Sequence, residues 1–452
     1  SANKAFVTWK DSQVCTGMYS KNDWSGNINN PFIKLNLQSF QNEAGNSDDI
    51  DVSVVIFEYR DIDTIGVEVD GVERYICDES LIALDYCNTS MQNTFILESN
   101  ATSYNQVLST RLTEIGDNDL TYFVKETGYY CVATYSATAT NYKILINFQN
   151  AFGNLAASEI SKLPLYGLLA VIYAVCLCIY LFQVFKHRAE LLLLQKYLAG
   201  FFIFLTVENI LIWSLYDVQN NNKRYPLPAG IKFYMFFISV LNSFKISFSF
   251  FLLLIISLGY GVVYPKLNKK LMLKCKLLGL IHFIFGVFYL IVKSSNSSWK
   301  NSLLTLLSTL PLAITLTIFY FLILSSLSKT VKFLTENRQI IKLNMYKKLF
   351  KLIFFSLLMM VLAMVIVTLL FFNDSVTNAI EKFWKFNDVL MDFWPSCLYF
   401  VVFIGIAIIW RPTDTSYMLA ASSQLPQNDS EANAGMGHQM QGTEFELDDL
   451  QS

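Results

Sequence analysis

From residue 163 onward, long apolar runs alternate with short polar, lysine-bearing stretches. Seven runs stand out, at 163–185, 191–215, 231–258, 273–292, 302–327, 349–372 and 388–410. Each approaches or exceeds the ~20 residues an α-helix needs to cross ~30 Å of hydrocarbon. Ahead of them the period is different. DVSVVIFEY (51–59) is a continuous β-branched run, and DTIGVEVDGVERYIC (63–77) reads as a hairpin turning at Asp70-Gly71. Leu120–Val124 and Tyr129–Tyr135 flank Glu126-Thr127-Gly128 and read as a second hairpin, and Tyr142–Phe148 adds a closing strand. Short strands between turn residues predict a two-sheet β-sandwich over 1–150, with polar loops at 38–49 and 99–106. Residues 151–162 read as a linker, 163–412 as a seven-helix bundle, and 413–452 as a disordered tail rich in Ser, Gln, Asn, Gly and acids. The fold class is thus a multi-domain membrane protein, an all-β sandwich on a seven-helix transmembrane bundle.

Charge orients this arrangement. One set of inter-helix loops carries 15 Lys and Arg and the opposite set carries 7, so the richer set is expected to be cytosolic. The N-terminal domain is then lumenal and the C-terminus cytosolic. Residues 1–150 hold 9 basic and 20 acidic side chains, and the tail holds seven acids with no Lys or Arg. Cysteines agree by a separate route. Cys15, Cys77, Cys87 and Cys131 make an even set in the soluble domain, which suits an oxidising lumen, although four cysteines allow three pairings. Sequons at Asn88 and Asn100 point the same way. A lumenal domain needs something to start its translocation, so a removed signal sequence is expected. In the tail, TEFELDDL (443–450) alternates acidic and apolar residues, as a sorting motif or a solubilising segment would.

The candidate chemistry lies inside the apolar runs. Lys245 sits about 14 residues into the third run, roughly 20 Å along a helix. An ammonium at that depth costs at least ~2.5–3.5 kcal/mol unless it is paired or hydrated. Asn242 and Ser249 share its helical face. Glu208 in the second run is the leading partner, with Asp217 near that run's lumenal exit. The seventh run adds Asp388, Asp392, Ser396 and Tyr399 around Pro395. These groups predict either a polar, ligand-bearing cavity or a dry Glu–Lys lock that only fixes helix packing. Catalysis is not expected. The three histidines, His187, His282 and His438, are scattered, no metal-ligand spacing occurs, and no nucleophile elbow, P-loop or dinucleotide fingerprint is present. Nothing suggests nucleic-acid binding, and a retinal lysine is absent from 388–410.

Several of these stretches resemble one known family. Ser257-Leu258-Gly259-Tyr260-Gly261 with Pro265-Lys266-Leu267, Leu163-Pro164-Leu165-Tyr166, Glu208, Lys245, NRQIIKLNMYKKL (337–349) and Ile409-Trp410-Arg411-Pro412 are similar to the lung seven-transmembrane receptor proteins. These are also called GOLD-domain seven-transmembrane proteins, and the fungal branch is the nearest. Gly128-Tyr129-Tyr130-Cys131 is similar to their lumenal part. The resemblance implies a GOLD-like lumenal sandwich on a bundle architecturally related to Wntless and, more distantly, to G-protein-coupled receptors. It also implies residence in the Golgi membrane or the neighbouring early endosome, and a role in membrane trafficking. Relatives are thought to hold a cavity for a lipid or lipidated cargo, so a phospholipid is the one bound group expected. Some relatives tether the ectodomain to the last lumenal loop through a cysteine. Residues 373–388 contain none, so the two parts are expected to be held by packing and the four lumenal cysteines to pair among themselves. Three pairings stay open on the residues alone; beside the resemblance, the pairing expected is Cys77 with Cys87 and Cys15 with Cys131.

Three functions follow as expectations. The favoured one is a monomeric trafficking receptor or chaperone that engages lipid or lumenal cargo through the ectodomain and cavity, and sorting or coat factors through the tail. The alternative is an ion-conducting protein, which a lysine near the midplane disfavours for cations. A G-protein-coupled receptor comes last, because the third run ends in GYGVVYP and the seventh lacks an Asn-Pro pair.

Overall fold

The structure is a computed structural model that describes residues 4–24, 29–42, 50–69, 71–97, 105–222, 227–264, 266–295, 302–372, 383–385 and 392–413. The chain forms two compact units. One comprises Ser1–Leu165 with Ser214–Ile231 and Val365–Trp394; the other comprises Tyr166–Trp213, Lys232–Met364 and Pro395–Ser452.

Among the described residues the first unit has ten strands: β1 (Lys4–Thr8), β2 (Gln13–Met18), β3 (Phe32–Asn42), β4 (Val52–Glu58), β5 (Val67–Val69), β6 (Val72–Arg74), β7 (Leu108–Leu112), β8 (Gly116–Phe123), β9 (Gly128–Tyr135) and β10 (Ala139–Gln149). They form two four-stranded sheets, β1-β10-β3-β8 and β2-β9-β4-β7, and a separate β5-β6 ribbon. Every pairing is antiparallel. Alternate residues of each sheet, including Ile33, Leu35 and Leu37 of β3 and Ile144, Ile146 and Phe148 of β10, fill the sandwich core. β4 is buried along its whole length. Val52, Val54 and Ile56 face the sandwich, while Val55 and Phe57 face a second cluster with Ile65, Phe95 and Cys131. Burial on both faces explains its unbroken apolar run.

Two expectations change here. Leu120–Val124 and Tyr129–Tyr135 do not form a hairpin, because β8 pairs with β3 in one sheet while β9 pairs with β2 and β4 in the other. The turn between them is a crossing. Gly128 permits it, since a Cβ there would stand 2.8 Å from Glu58 Cγ. Glu58 itself is buried and paired with Arg60 at 2.8 Å, and burial pushes its carboxyl up against the opposing pull of Arg60. The polar stretch 38–49 is a loop for less of its length than expected, because β3 runs to Asn42; 43–49 lie outside the described residues.

Cys15 and Cys131 face each other across β2 and β9 and are bonded, as are Cys77 and Cys87. Helix α1 (Glu79–Ala83) lies within the shorter loop. Asp78 caps it, accepting the Leu81 N–H at 2.9 Å. Bonds from Ser80 and from that N–H hold the Asp78 carboxyl below its ordinary value. Asn88 is exposed, and Asn100 lies outside the described residues. Residues 151–162, expected as a linker, are packed: Ala151, Leu155, Ala156, Ala157 and Ile160 are buried.

Among the described residues seven longer helices follow: α2 (Lys162–Lys186), α3 (Leu193–Asn221), α4 (Ala229–Ser257), α5 (Lys269–Ser295), α6 (Ser302–Glu336), α7 (Ile340–Phe372) and α8 (Trp394–Ile409). Among the described residues, α2 to α7 contain spans long and apolar enough to cross a membrane, and α8 is a shorter apolar helix. The tail beyond Thr413 lies outside the described residues.

Candidate functional site

Lys245 lies on α4, with 14% of its side chain exposed, and its Nζ stands 2.8 Å from Oε1 of Glu208 on α3, which is fully buried. The charges are matched, but the contact is not aligned as a hydrogen bond. Among the described residues, neither Glu208 oxygen has an aligned donor. Charge is thus compensated more completely than hydrogen-bonding capacity, an expensive condition for a buried carboxylate.

A second contact reaches α8. Lys245 Nζ lies 5.6 Å from the centre of the Tyr399 ring, within cation–π range. One turn along α4, the Ser249 hydroxyl donates to the Lys245 carbonyl at 2.6 Å. With its only proton committed there, Ser249 accepts from the Tyr399 hydroxyl, also at 2.6 Å. Ser396, one turn before Tyr399, lies 3.0 Å from the Tyr166 hydroxyl of α2. Asn242 is half-buried on the Lys245 face of α4.

Two other acids of the expected constellation, Asp217 and Asp392, belong to the first unit. Asp217 accepts from Asn221 Nδ2 at 3.3 Å. Asp392, in the same unit, pairs with Lys162. Lys162 is 3% exposed, and its ammonium lies 5.8 Å from the Tyr216 ring centre. Sequence reasoning passed over Lys162 because it precedes the first apolar run and counts neither as an intramembrane charge nor as a loop charge. Its burial is visible only once residues 151–162 are seen to pack. Asp388 lies outside the described residues.

Beside the Ser249–Tyr399 pair the second unit holds a cavity of about 260 Å³. Phe201 of α3, Phe250 of α4, Tyr320 of α6, Met360 of α7 and Phe403 of α8 contribute to its lining, with Ser249 and Tyr399 among the few polar members. Glu208 and Lys245 do not line it. The cavity is therefore apolar with a polar edge, rather than the polar chamber expected around Lys245. Its size is below the ~300–1,000 Å³ usual for whole small-molecule ligands, so it suits a segment of an alkyl chain.

Residues 161–417 match the family described as GOST, seven transmembrane domain, and residues 11–150 match PTM1-like, N-terminal domain. The chain is similar to membrane protein PTM1 of Saccharomyces cerevisiae, 43% identical over 464 aligned positions that cover 100% of this chain and 86% of the relative. It is 30% identical to an uncharacterized Schizosaccharomyces pombe protein, over 95% of this chain and 83% of that one. Similarity to transmembrane protein 87B of Mus musculus is more remote, 25% identity over 63% of this chain and 49% of the relative. Taken with the sandwich and the apolar helices, these matches carry the conclusion that this multi-pass membrane protein belongs to the GOST seven-transmembrane family, with a PTM1-like N-terminal domain.

Proposed function

We propose that this protein is a membrane-trafficking receptor or chaperone of the Golgi and early endosome, with its sandwich lumenal and its tail cytosolic, that holds a lipid or lipidated cargo among its helices. The observation that carries this reading is the apolar cavity edged by Ser249 and Tyr399, with Lys245 one turn away. An alkyl or prenyl chain would occupy the cavity, and its anionic or carbonyl-bearing head would meet Tyr399 and Lys245. Glu208 would neutralise Lys245 when no ligand is present. Ion conduction fits less well, because an apolar cavity with a lysine nearby presents no acidic ring to a cation.

The test is mass spectrometry of what co-purifies from native membranes with wild type, Lys245→Ala and Ser356→Phe. Ser356 lines the cavity on α7, so the second variant fills the space without touching the ion pair. The reading predicts a stoichiometric lipid or lipidated peptide in wild type that both variants lose by at least about tenfold. Equal ligand content in all three, or none in any, would sink it.

A further inference from the structure

The turn after α4, Ser257–Tyr264, is held from several directions. Gly259 (φ 86°) and Gly261 (φ 75°) reverse the chain. The Tyr260 N–H returns to Ile255 O at 3.1 Å, and the Gly261 N–H bonds to Tyr264 O at 2.8 Å. Val262 and Val263 are buried beneath it. Two side chains grip the end of α4 from other helices: Thr330 Oγ1 donates to Ser257 O at 2.8 Å, and the Tyr346 hydroxyl donates to Ile256 O at 3.0 Å.

This fixed turn closes one end of a groove of about 510 Å³. On α4 the groove is lined by Phe248, Phe251, Leu252 and Ile255, spaced as one helical face. On α5 the facing residues are Lys269, Met272, Leu273 and Lys276, with the same spacing, and Lys266 enters from the connecting chain. Apolar lining thus passes into a cationic rim along a single groove. The three lysines are exposed. Among the described residues none of them forms an ion pair, and the sequence has no acid between Asp217 and Glu336 that might do so from nearby in the chain.

We infer that this groove binds an anionic glycerophospholipid. Its phosphate-bearing headgroup would contact Lys266, Lys269 and Lys276, and an acyl chain would lie over Phe248, Phe251, Leu252 and Ile255. Ammonium groups on flexible stems suit phosphate oxygens as point charges. Three of them favour a headgroup carrying more than the single charge of a phosphodiester. A purely topological role for the lysines would not distinguish these three from Lys270 and Lys274, which are exposed on the same helix but absent from the groove. That difference supplies the control.

Full-length protein in phosphatidylcholine nanodiscs is titrated with dioctanoyl phosphatidylinositol monophosphate, with binding read by native mass spectrometry and by thermal shift. Wild type should bind and be stabilised. The Lys266→Gln/Lys269→Gln/Lys276→Gln variant should lose at least about tenfold in affinity, and Lys270→Gln/Lys274→Gln should keep the wild-type value. No binding by wild type, equal binding by the first variant, or equal loss in the second would overturn the site. Inorganic phosphate or soluble inositol phosphate binding as tightly as the lipid would overturn the acyl contact. Equal stabilisation by dioctanoyl phosphatidylcholine would overturn the charge recognition.

Discussion

Lys245 shows how far one ionisable residue can be read without a structure. The cost of an ammonium at bilayer depth demands a partner, and Glu208 is that partner, at 2.8 Å. The quality of that contact depends on the approach angle of two side chains and on how α3 and α4 cross, neither of which the cost of a buried charge fixes. Lys162 escaped for a related reason. Its burial depends on tertiary packing, whereas its sequence position suggests an ordinary interfacial lysine. In lipid-stripped protein, Glu208→Gln leaves Lys245 without its counter-charge and is expected to cost about 3 kcal/mol, the low end for breaking a buried pair because Lys245 is partly exposed. Thermal unfolding followed by fluorescence-detected size exclusion would show the loss as a lowered Tm. The double variant Glu208→Gln/Lys245→Met should recover most of it. A single variant that melts with wild type would mean that the pair does not hold the bundle.

Elements were legible where local pattern and tertiary demand coincide. β4 and β10 announce themselves through β-branched or alternating apolar residues. β1 and β2 are short edge strands of mixed polarity, and a half-exposed edge imposes little pattern. The β8–β9 turn illustrates a different limit, since turn residues specify that the chain reverses but not which sheet receives it. Sheet choice depends on partners far away in sequence, here β3 for β8 and β2 and β4 for β9. In sequence the turn after α4 stands out as a motif, and its lysines by themselves mark only sidedness. Its glycines carry a physical consequence. At Gly259, φ is 86° and a Cβ would stand 2.8 Å from Val263 Cβ, so alanine incurs ~1–2 kcal/mol of left-handed strain before any clash. Gly259→Ala should lower Tm by several degrees, whereas Gly200→Ala, where nothing lies within 4 Å of the added Cβ, should hold or raise it. Equal behaviour of the two would show that the turn is not a constrained element.

The largest question is what joins the β-sandwich to the chain that enters and leaves the membrane, since no cysteine is available at 373–388. Within the first unit the answer is an aromatic cluster. Phe152, Leu155, Ala157, Ile160 and Trp384 form its buried centre, with Tyr19, Trp24, Tyr129, Leu163 and Tyr216 around them. The cluster gathers the chain just past β2, the packed segment after β10, the last turns of α3 and the stretch ahead of α8. Trp384 meets Tyr19 edge to face at 5.3 Å between ring centres, and its ring lies so close to Gly17 that any Cβ there would overlap it. Asn220 adds a polar clasp: its side chain donates to Phe152 O at 3.1 Å and accepts the Leu155 N–H at 3.2 Å. A buried tryptophan in such a place is worth about 3–5 kcal/mol on truncation. If it stands in for a covalent tether, Trp384→Ala should leave the two disulfides intact while making residues 151–162 far more sensitive to limited proteolysis in membranes. Gly17→Val, made on the opposite side of the same contact, should reproduce that pattern. Protease resistance equal to wild type in both variants would place the join elsewhere, whereas a loss confined to Trp384→Ala would trace the effect to the ring's wider packing rather than to its seat on β2.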